Sequence, residues 1–135
     1  MAYKIQELEG IGPVKTAKFN AAGIQTTDQL LAECGSAKGR AAFAEAHGMN
    51  KAELLRCVNM CDLMRISGVG EEYSDLLEAA GVDTVKELRT RNAANLTAAM
   101  AAKNAERKLV RVLPTESKVV GWISQAKELE PVVTH

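Results

Sequence analysis

Apolar residues recur at helical spacing along most of the chain and are interrupted by glycines and capping residues. Ile5 and Leu8 lie three residues apart, ahead of a Gly-Ile-Gly turn, and Pro13 then begins a segment that ends at Gly23. Because proline is favoured in the first turn of a helix and glycine just after the last, we expect a short helix between them. The tetrapeptide TTDQ at 26–29 matches a capping box and predicts the next helix. The chain therefore opens with short helices joined by tight turns.

The same order of elements recurs after 58 residues. Seven positions are identical between the copies: Gly10 and Gly68, Gly12 and Gly70, the triplets Ala-Ala-Gly at 21–23 and 79–81, Thr26 and Thr84, and Leu30 and Leu88. We call residues 10–12 the first glycine turn and residues 68–70 the second. Glycine permits backbone angles closed to other residues, and the apolar residue between the glycines, Ile11 or Val69, is expected to point into the core. The sequence predicts two related units, over residues 1–60 and 61–135.

Further helices are predicted downstream of each turn. They span roughly 36–47 and 51–64 in the first copy, and 93–103, 104–113 and 115–129 in the second. Hydrophobic residues make up 47% of the chain but aromatic ones only 4%, which is a composition that favours helices. The expected fold is therefore all-α, with two tandem repeats packed into one compact unit.

The two glycine turns follow a recognisable pattern. Each copy has the form apolar-x-x-apolar-x-Gly-apolar-Gly and continues as Ala-Gly-[Ile/Val]-x-Thr, which resembles the helix-hairpin-helix motif of DNA ligases, recombinase N-terminal domains and repair nucleases. The wider arrangement, with Leu113-Pro114 and the segment VGWISQAK at 120–127, resembles the bacterial family called domain of unknown function 4332. The first resemblance implies sequence-independent binding of double-stranded DNA through backbone N–H groups. The second implies no activity.

In the first copy, the resemblance to the helix-hairpin-helix motif implies a phosphate-binding site. The predicted contacts are the residues of the turn and of the following helix, Gly10, Ile11, Gly12, Val14, Lys15 and Lys18. A helix N-terminus favours an anion, which supports the role. In the second copy Glu71 and Glu72 follow the turn, so carboxylates already stand where a phosphate would bind. We therefore predict that Gly68, Val69 and Gly70 form a structural or protein-facing turn.

The charges of the chain are balanced overall but unevenly distributed. Seventeen basic and seventeen acidic residues give a net charge of zero, which argues against a strong nucleic-acid binder. From 86 to 118, however, eight basic residues face three acidic ones. Four of these, Lys103, Arg107, Lys108 and Arg111, suggest a second phosphate-contacting surface if the local helix is continuous through Asn104. The alternative is a solvated helix face.

Catalysis and metal binding find little support in the residue types. Cys57, Cys61 and His47 lack a fourth ligand, so we expect core cysteines, no metal and no cofactor. The segment GIGPVKTA superficially resembles the catalytic turn of some DNA glycosylases, but Lys15 lies one position too far from Gly12 and the chain lacks the bulk to enclose a flipped base. No apolar stretch is long enough to span a membrane, and we expect a cytoplasmic protein that is not an enzyme.

Two functions are compatible with these features. The leading hypothesis is weak, sequence-independent binding of double-stranded DNA through the first glycine turn. The alternative is a protein–protein interaction adaptor without nucleic-acid binding, which the neutral charge and the acidic second turn favour. The sequence leaves the identity of a protein partner and the oligomeric state open.

Overall fold

The structure is a computed structural model that describes residues 3–135, and this part of the chain is all-α, as predicted. It contains a short 3-10 helix, η1, and eight α-helices. Their bounds are η1 Ile5–Glu7, α1 Pro13–Ala21, α2 Thr27–Cys34, α3 Ala37–His47, α4 Lys51–Leu63, α5 Glu71–Ala79, α6 Val85–Leu88, α7 Ala93–Arg107 and α8 Glu116–Glu128. The described residues form no strand beyond an isolated bridge between Lys4 and Thr26.

The chain divides into two compact units. The first unit contains the residues up to Arg65 together with Val132–His135, and the second contains Ile66–Pro131. Buried apolar side chains occur in both units, and one apolar cluster, from Ile5 to Met64 with Val133, lies entirely within the first. The last four residues thus belong with the beginning of the chain.

In the first unit, α2, α3 and α4 pack against one another and η1 packs on α1. Phe19 of α1 is fully buried and its ring lies 5.8 Å from that of Phe43 in α3. The N-terminal residues are fixed by backbone pairing, because the N–H of Ile5 donates to the carbonyl of Gln25 at 2.9 Å. This pairing places η1 beside the loop between α1 and α2, and so holds the start of the first glycine turn.

In the second unit, α5 packs on α7, while α6 and α7 both pack on α8. Trp122 of α8 is buried, and its ring lies 5.3 Å from that of Tyr73 in α5. Gln125, one turn further along α8, exchanges two hydrogen bonds with the backbone of Ser67, at 2.9 and 3.3 Å. Trp122 is therefore a packing residue, and α8 holds the start of the second glycine turn.

The local sequence signals place most helix ends correctly. Pro13 is the first residue of α1, and Ser36, Asn50 and Thr115 each cap the next helix through a side-chain oxygen. Both halves of the capping box form at Thr26. At Thr84 the side chain accepts from the N–H of Glu87 at 3.2 Å, while the Glu87 carboxylate accepts two bonds from Arg91.

Several backbone hydrogen bonds recur at the interval of 58 residues. They are Ile11 N–H to Leu8 O and Val69 N–H to Ile66 O, at 3.3 and 3.1 Å, and Ile24 N–H to Phe19 O and Val82 N–H to Leu77 O, both at 2.8 Å. The glycines that follow α1 and α5 both have a positive φ, +84° at Gly23 and +96° at Gly81. The backbone around the two turns therefore closes through the same bonds.

The predicted helix over 104–113 is wrong. Helix α7 continues through Asn104 to Arg107 and ends at Lys108, which has a left-handed φ of 50°. The Asn104 side chain accepts from the N–H of Val110 at 2.9 Å and donates to its carbonyl at 3.1 Å. Asparagine is a weak helix former, but here its side chain fixes the loop that follows the helix.

The segment ahead of the first glycine turn is helical for only three residues, Ile5–Glu7. Ile5 lies in a single 3-10 turn, and its counterpart Leu63 is the last residue of α4. Both side chains are nonetheless buried, so the apolar spacing identified the core correctly.

Candidate nucleic-acid interface

The first glycine turn leaves an open helix N-terminus. Gly12 has φ 83° and ψ 159°, a conformation available almost only to glycine, and nothing lies within 4 Å of the position where a Cβ would stand. Helix α1 begins at the next residue, and its first hydrogen bond runs from the N–H of Thr16 to the carbonyl of Gly12 at 3.0 Å. The N–H groups of Val14 and Lys15 lie ahead of that bond, where a helix supplies no internal acceptors. They can therefore be offered to an anion.

The predicted contact residues in this turn have different surroundings. The Ile11 side chain is 1% exposed, as expected, and its N–H already donates to Leu8. Gly10 is exposed, and the Val14 side chain is 70% exposed at the surface of α1. Of the predicted residues in the turn itself, Ile11 is therefore closed to a ligand by burial and by its own hydrogen bond, whereas Gly10 and Val14 lie at the surface.

Both predicted lysines lie on α1 and have partners within the first unit. Lys15 Nζ lies 3.8 Å from a carboxylate oxygen of Glu53 in α4, with 30% of its side chain exposed. Lys18 donates to the carbonyl of Gly48, the residue that ends α3, at 3.1 Å. Sequence reasoning missed both partners, because they come from elements more than 25 residues away. These contacts hold the two cations beside the turn.

The second glycine turn differs in its backbone. Here the first glycine, Gly68, has the positive φ, +92°, and a Cβ at this position would lie 3.3 Å from Nε1 of Trp122. Gly70 has φ −98° and ψ −166°, an extended conformation that any residue can adopt. The expectation that both glycines of each turn need unusual angles is therefore wrong for Gly70, and it is wrong for Gly10 in the first turn, which has no positive φ. Val69 between them is fully buried, as predicted.

Carboxylates occupy the N-terminus of the helix after the second turn. Glu71 and Glu72 form the first turn of α5, where α1 has no acidic residue. They line a surface cavity of about 500 Å³ together with Gly68, Gly70, Arg111 and Val112. The hydroxyl of Tyr73 donates to the carbonyl of Val112 at 3.0 Å and holds the loop at this cavity. An anionic ligand would meet carboxylate repulsion here.

The predicted basic surface of the second unit is split by the end of α7. Lys103 and Arg107 lie on the helix, with Lys103 Nζ 3.7 Å from a carboxylate oxygen of Glu106. Lys108 ends the helix, and Arg111 lies in the following loop beside the acidic cavity. The four residues do not form one helical stripe.

The cysteines lie in the core of the first unit. All three are buried, and burial raises the pKa of Cys34 to about 11 and raises that of Cys57. Because the thiolate is the reactive and metal-binding form, these side chains are poor ligands. The His47 ring packs on Phe43 at 4.3 Å. Over residues 3–135, no three His, Cys, Asp or Glu side chains are grouped closely enough to hold a metal ion.

The geometry defines an all-α protein with two glycine turns, of which one precedes an open helix N-terminus and the other an acidic one. The chain belongs to the family described as Domain of unknown function (DUF4332), whose model matches residues 9–129. Comparisons with curated proteins and with solved structures give no match. In the part of the chain that the structure describes, every helix is too short or too polar to cross a bilayer.

Proposed function

We propose that this protein is a non-catalytic helix-hairpin-helix module that binds double-stranded DNA weakly and without sequence specificity through the first glycine turn. The observation that carries the proposal is the N-terminus of α1, which follows Gly12 without any acidic residue in its first turn. A helix N-terminus attracts a phosphate through its N–H groups and dipole, and such contacts position a protein on DNA without reading bases.

The two lysines of α1 add positive charge to this site. Lys15 pairs with a carboxylate at 3.8 Å, and a surface ion pair of this kind contributes only about 0–1 kcal/mol, while Lys18 donates to one exposed carbonyl. A phosphate can therefore compete for Lys15 and Lys18 at low cost. With two cations and a few amides, we expect weak, salt-sensitive affinity.

The salt dependence of duplex binding tests the proposal. A labelled duplex of about 20 base pairs is titrated with protein at about 50 and 200 mM salt, and binding is read by fluorescence anisotropy. Lys15→Glu/Lys18→Glu should abolish binding. Lys38→Glu/Lys127→Glu makes the same change of net charge at two exposed positions that are not part of the first glycine turn or of α1, and should bind almost as wild type.

Equal loss in both double variants would assign the binding to net charge rather than to the first glycine turn. An absence of duplex binding by the wild-type protein at tens of micromolar and 50 mM salt would end the DNA proposal.

A protein–protein adaptor is the second candidate function, and the exposed apolar residues favour it. Val14 at the first glycine turn and Val112 beside the second are both 70% exposed. Apolar side chains in such positions are typical of protein contacts when they form part of a larger patch. Binding through Val14 would persist at 200 mM salt and be lost in Val14→Asp, whereas DNA binding would weaken as salt rises.

A further inference from the structure

Helix α4 places a carboxylate beside the lysines of α1. Glu53 lies in the first turn of α4, where its N–H donates to the side chain of the capping residue Asn50 at 3.1 Å. One of its carboxylate oxygens lies 3.8 Å from Lys15 Nζ, which is longer than the roughly 2.7–2.9 Å of a charge-assisted hydrogen bond. The side chains of Glu53 and Lys15 are 61% and 30% exposed. Lys15 is therefore held near this carboxylate without being closed to another anion.

A further cation lies next to Glu53 on α4. Arg56 is exposed and follows Glu53 by three residues, a spacing that makes two side chains neighbours on a helix surface. Burial raises the pKa of the Cys57 thiol, whereas the positive charges of Lys15 and Arg56 lower it. The negative charge of Glu53 acts on the same thiol and raises this pKa. Lys15, Glu53 and Arg56 therefore lie close together, and we call them the α1–α4 charge cluster.

We propose that the α1–α4 charge cluster belongs to the DNA interface, where Arg56 contacts a backbone phosphate and Glu53 limits the affinity of Lys15 for phosphate. This role rests on the proposed DNA binding through the first glycine turn. An ammonium has three N–H donors, so Lys15 can bond a phosphate while it remains near Glu53. The carboxylate then lies close to the phosphate and repels it. The planar guanidinium of Arg56 can bind phosphate through two parallel hydrogen bonds.

The two residues of α4 should therefore change DNA affinity in opposite directions. Removing the charge of Glu53 removes a repulsion, so binding becomes tighter. Removing the charge of Arg56 removes one phosphate contact and the release of its counterion, so binding becomes weaker and less dependent on salt. Because these charges are exposed, added salt screens both effects. Opposite shifts from two neighbouring residues are not expected from a general loss of folding.

The test is titration of a labelled duplex of about 20 base pairs at several salt concentrations between about 50 and 200 mM. Glu53→Gln should raise the affinity about two- to fivefold at 50 mM salt and less at 200 mM. Arg56→Gln should lower the affinity about three- to tenfold and make the slope of log K against log salt shallower by about one. Glu33→Gln and Lys38→Gln remove the same charges at exposed positions of α2 and α3. These two controls should each stay within about twofold of wild type, because neither position belongs to the cluster.

The outcomes separate this role of α4 from the DNA binding on which it rests. If Lys15→Glu/Lys18→Glu abolishes binding while Glu53→Gln and Arg56→Gln bind as wild type, the role of α4 is overturned and DNA binding by the first glycine turn stands. Equal shifts in the α4 variants and in their matched controls would assign the effects to net charge and would also overturn it. An absence of duplex binding by both the wild-type protein and Glu53→Gln would overturn the two proposals together.

Discussion

The first and second glycine turns close through equivalent backbone hydrogen bonds but present different chemistry at the helix that follows. Gly12 leads into Pro13, Val14 and Lys15, whereas Gly70 leads into Glu71 and Glu72. The position of a Cβ on Gly12 is open, while one on Gly68 would contact Trp122. Two turns closed by equivalent hydrogen bonds can therefore lead into either an open or an acidic helix N-terminus, depending on a few residues in the first helical turn.

The largest expected effect on stability concerns the buried apolar residue that occupies equivalent positions in the helices after the two turns. Phe19 and Leu77 stand at equivalent positions and are both fully buried. Phe19→Ala should lower the free energy of unfolding by about 3–5 kcal/mol and Leu77→Ala by about 2–5 kcal/mol, because each leaves a cavity. Urea unfolding followed by circular dichroism measures both. Val14→Ala, at a position 70% exposed, is the control and should change stability by less than about 0.5 kcal/mol.

The next effect separates the two turns. Gly12 and Gly70 are both N-cap residues, so replacing glycine at the cap has a similar effect on stability in the two variants. Only Gly12 has a positive φ. Gly12→Ala should destabilise the protein by about 1–3 kcal/mol through backbone strain. Gly70→Ala should remain within about 0.5 kcal/mol of wild type, because its backbone angles suit any residue. Equal melting temperatures for the two variants would contradict the assigned conformations.

A smaller effect on stability is expected when the charges in the first turn of α5 are reversed. Glu71→Lys/Glu72→Lys should cost about 0.3–1 kcal/mol per residue through the helix dipole, and should increase affinity for a duplex. Glu45→Lys/Glu128→Lys makes the same change of net charge at exposed positions near helix C-termini and is the matched control. A gain of affinity no larger than that of the control would mean that the first helical turn does not decide anion binding.

The smallest expected effect is on the rate at which the cysteines, which all lie in the first unit, are modified. Because burial raises the pKa of Cys34 to about 11 and raises that of Cys57, little thiolate exists at pH 8 and modification by a thiol reagent should be slow. Gly12→Ala should accelerate modification by destabilising the unit that contains the thiols, whereas Gly70→Ala should not. Fast labelling of the wild-type protein at pH 8 would contradict the burial of these side chains.

Local signals in the sequence predicted much of the fold. Proline at the start of α1, glycines after α1 and α5, and the capping residues Thr26 and Asn50 each act within a few residues of themselves. Such signals are visible without knowledge of distant contacts. The buried residues within the turns, Ile11 and Val69, were predictable for the same reason.

Features that depend on distant residues were not predictable. From the sequence, Asn104 is expected to end a helix, because its hydrogen bonds to Val110 are not visible there. Nothing in the sequence near Thr134 indicates that this residue contacts Arg40. At the candidate site, the lysines of α1 follow from the motif, but their contacts with Glu53 and Gly48 arise only from packing of α1 near α3 and α4. Nor does the sequence pattern, which is the same in both copies, indicate that the positive φ lies at Gly12 in the first turn and at Gly68 in the second.

The proposed phosphate contact lies at the N-terminus of α1 and not at that of α5. The most direct measurement is a titration of the isotope-labelled protein with an unlabelled duplex, followed by amide chemical shifts. We expect shifts concentrated at Gly12, Val14 and Lys15 that diminish as salt rises, with Glu71 and Glu72 unchanged. Shifts centred on Glu71 and Glu72, or none at the first glycine turn, would contradict it.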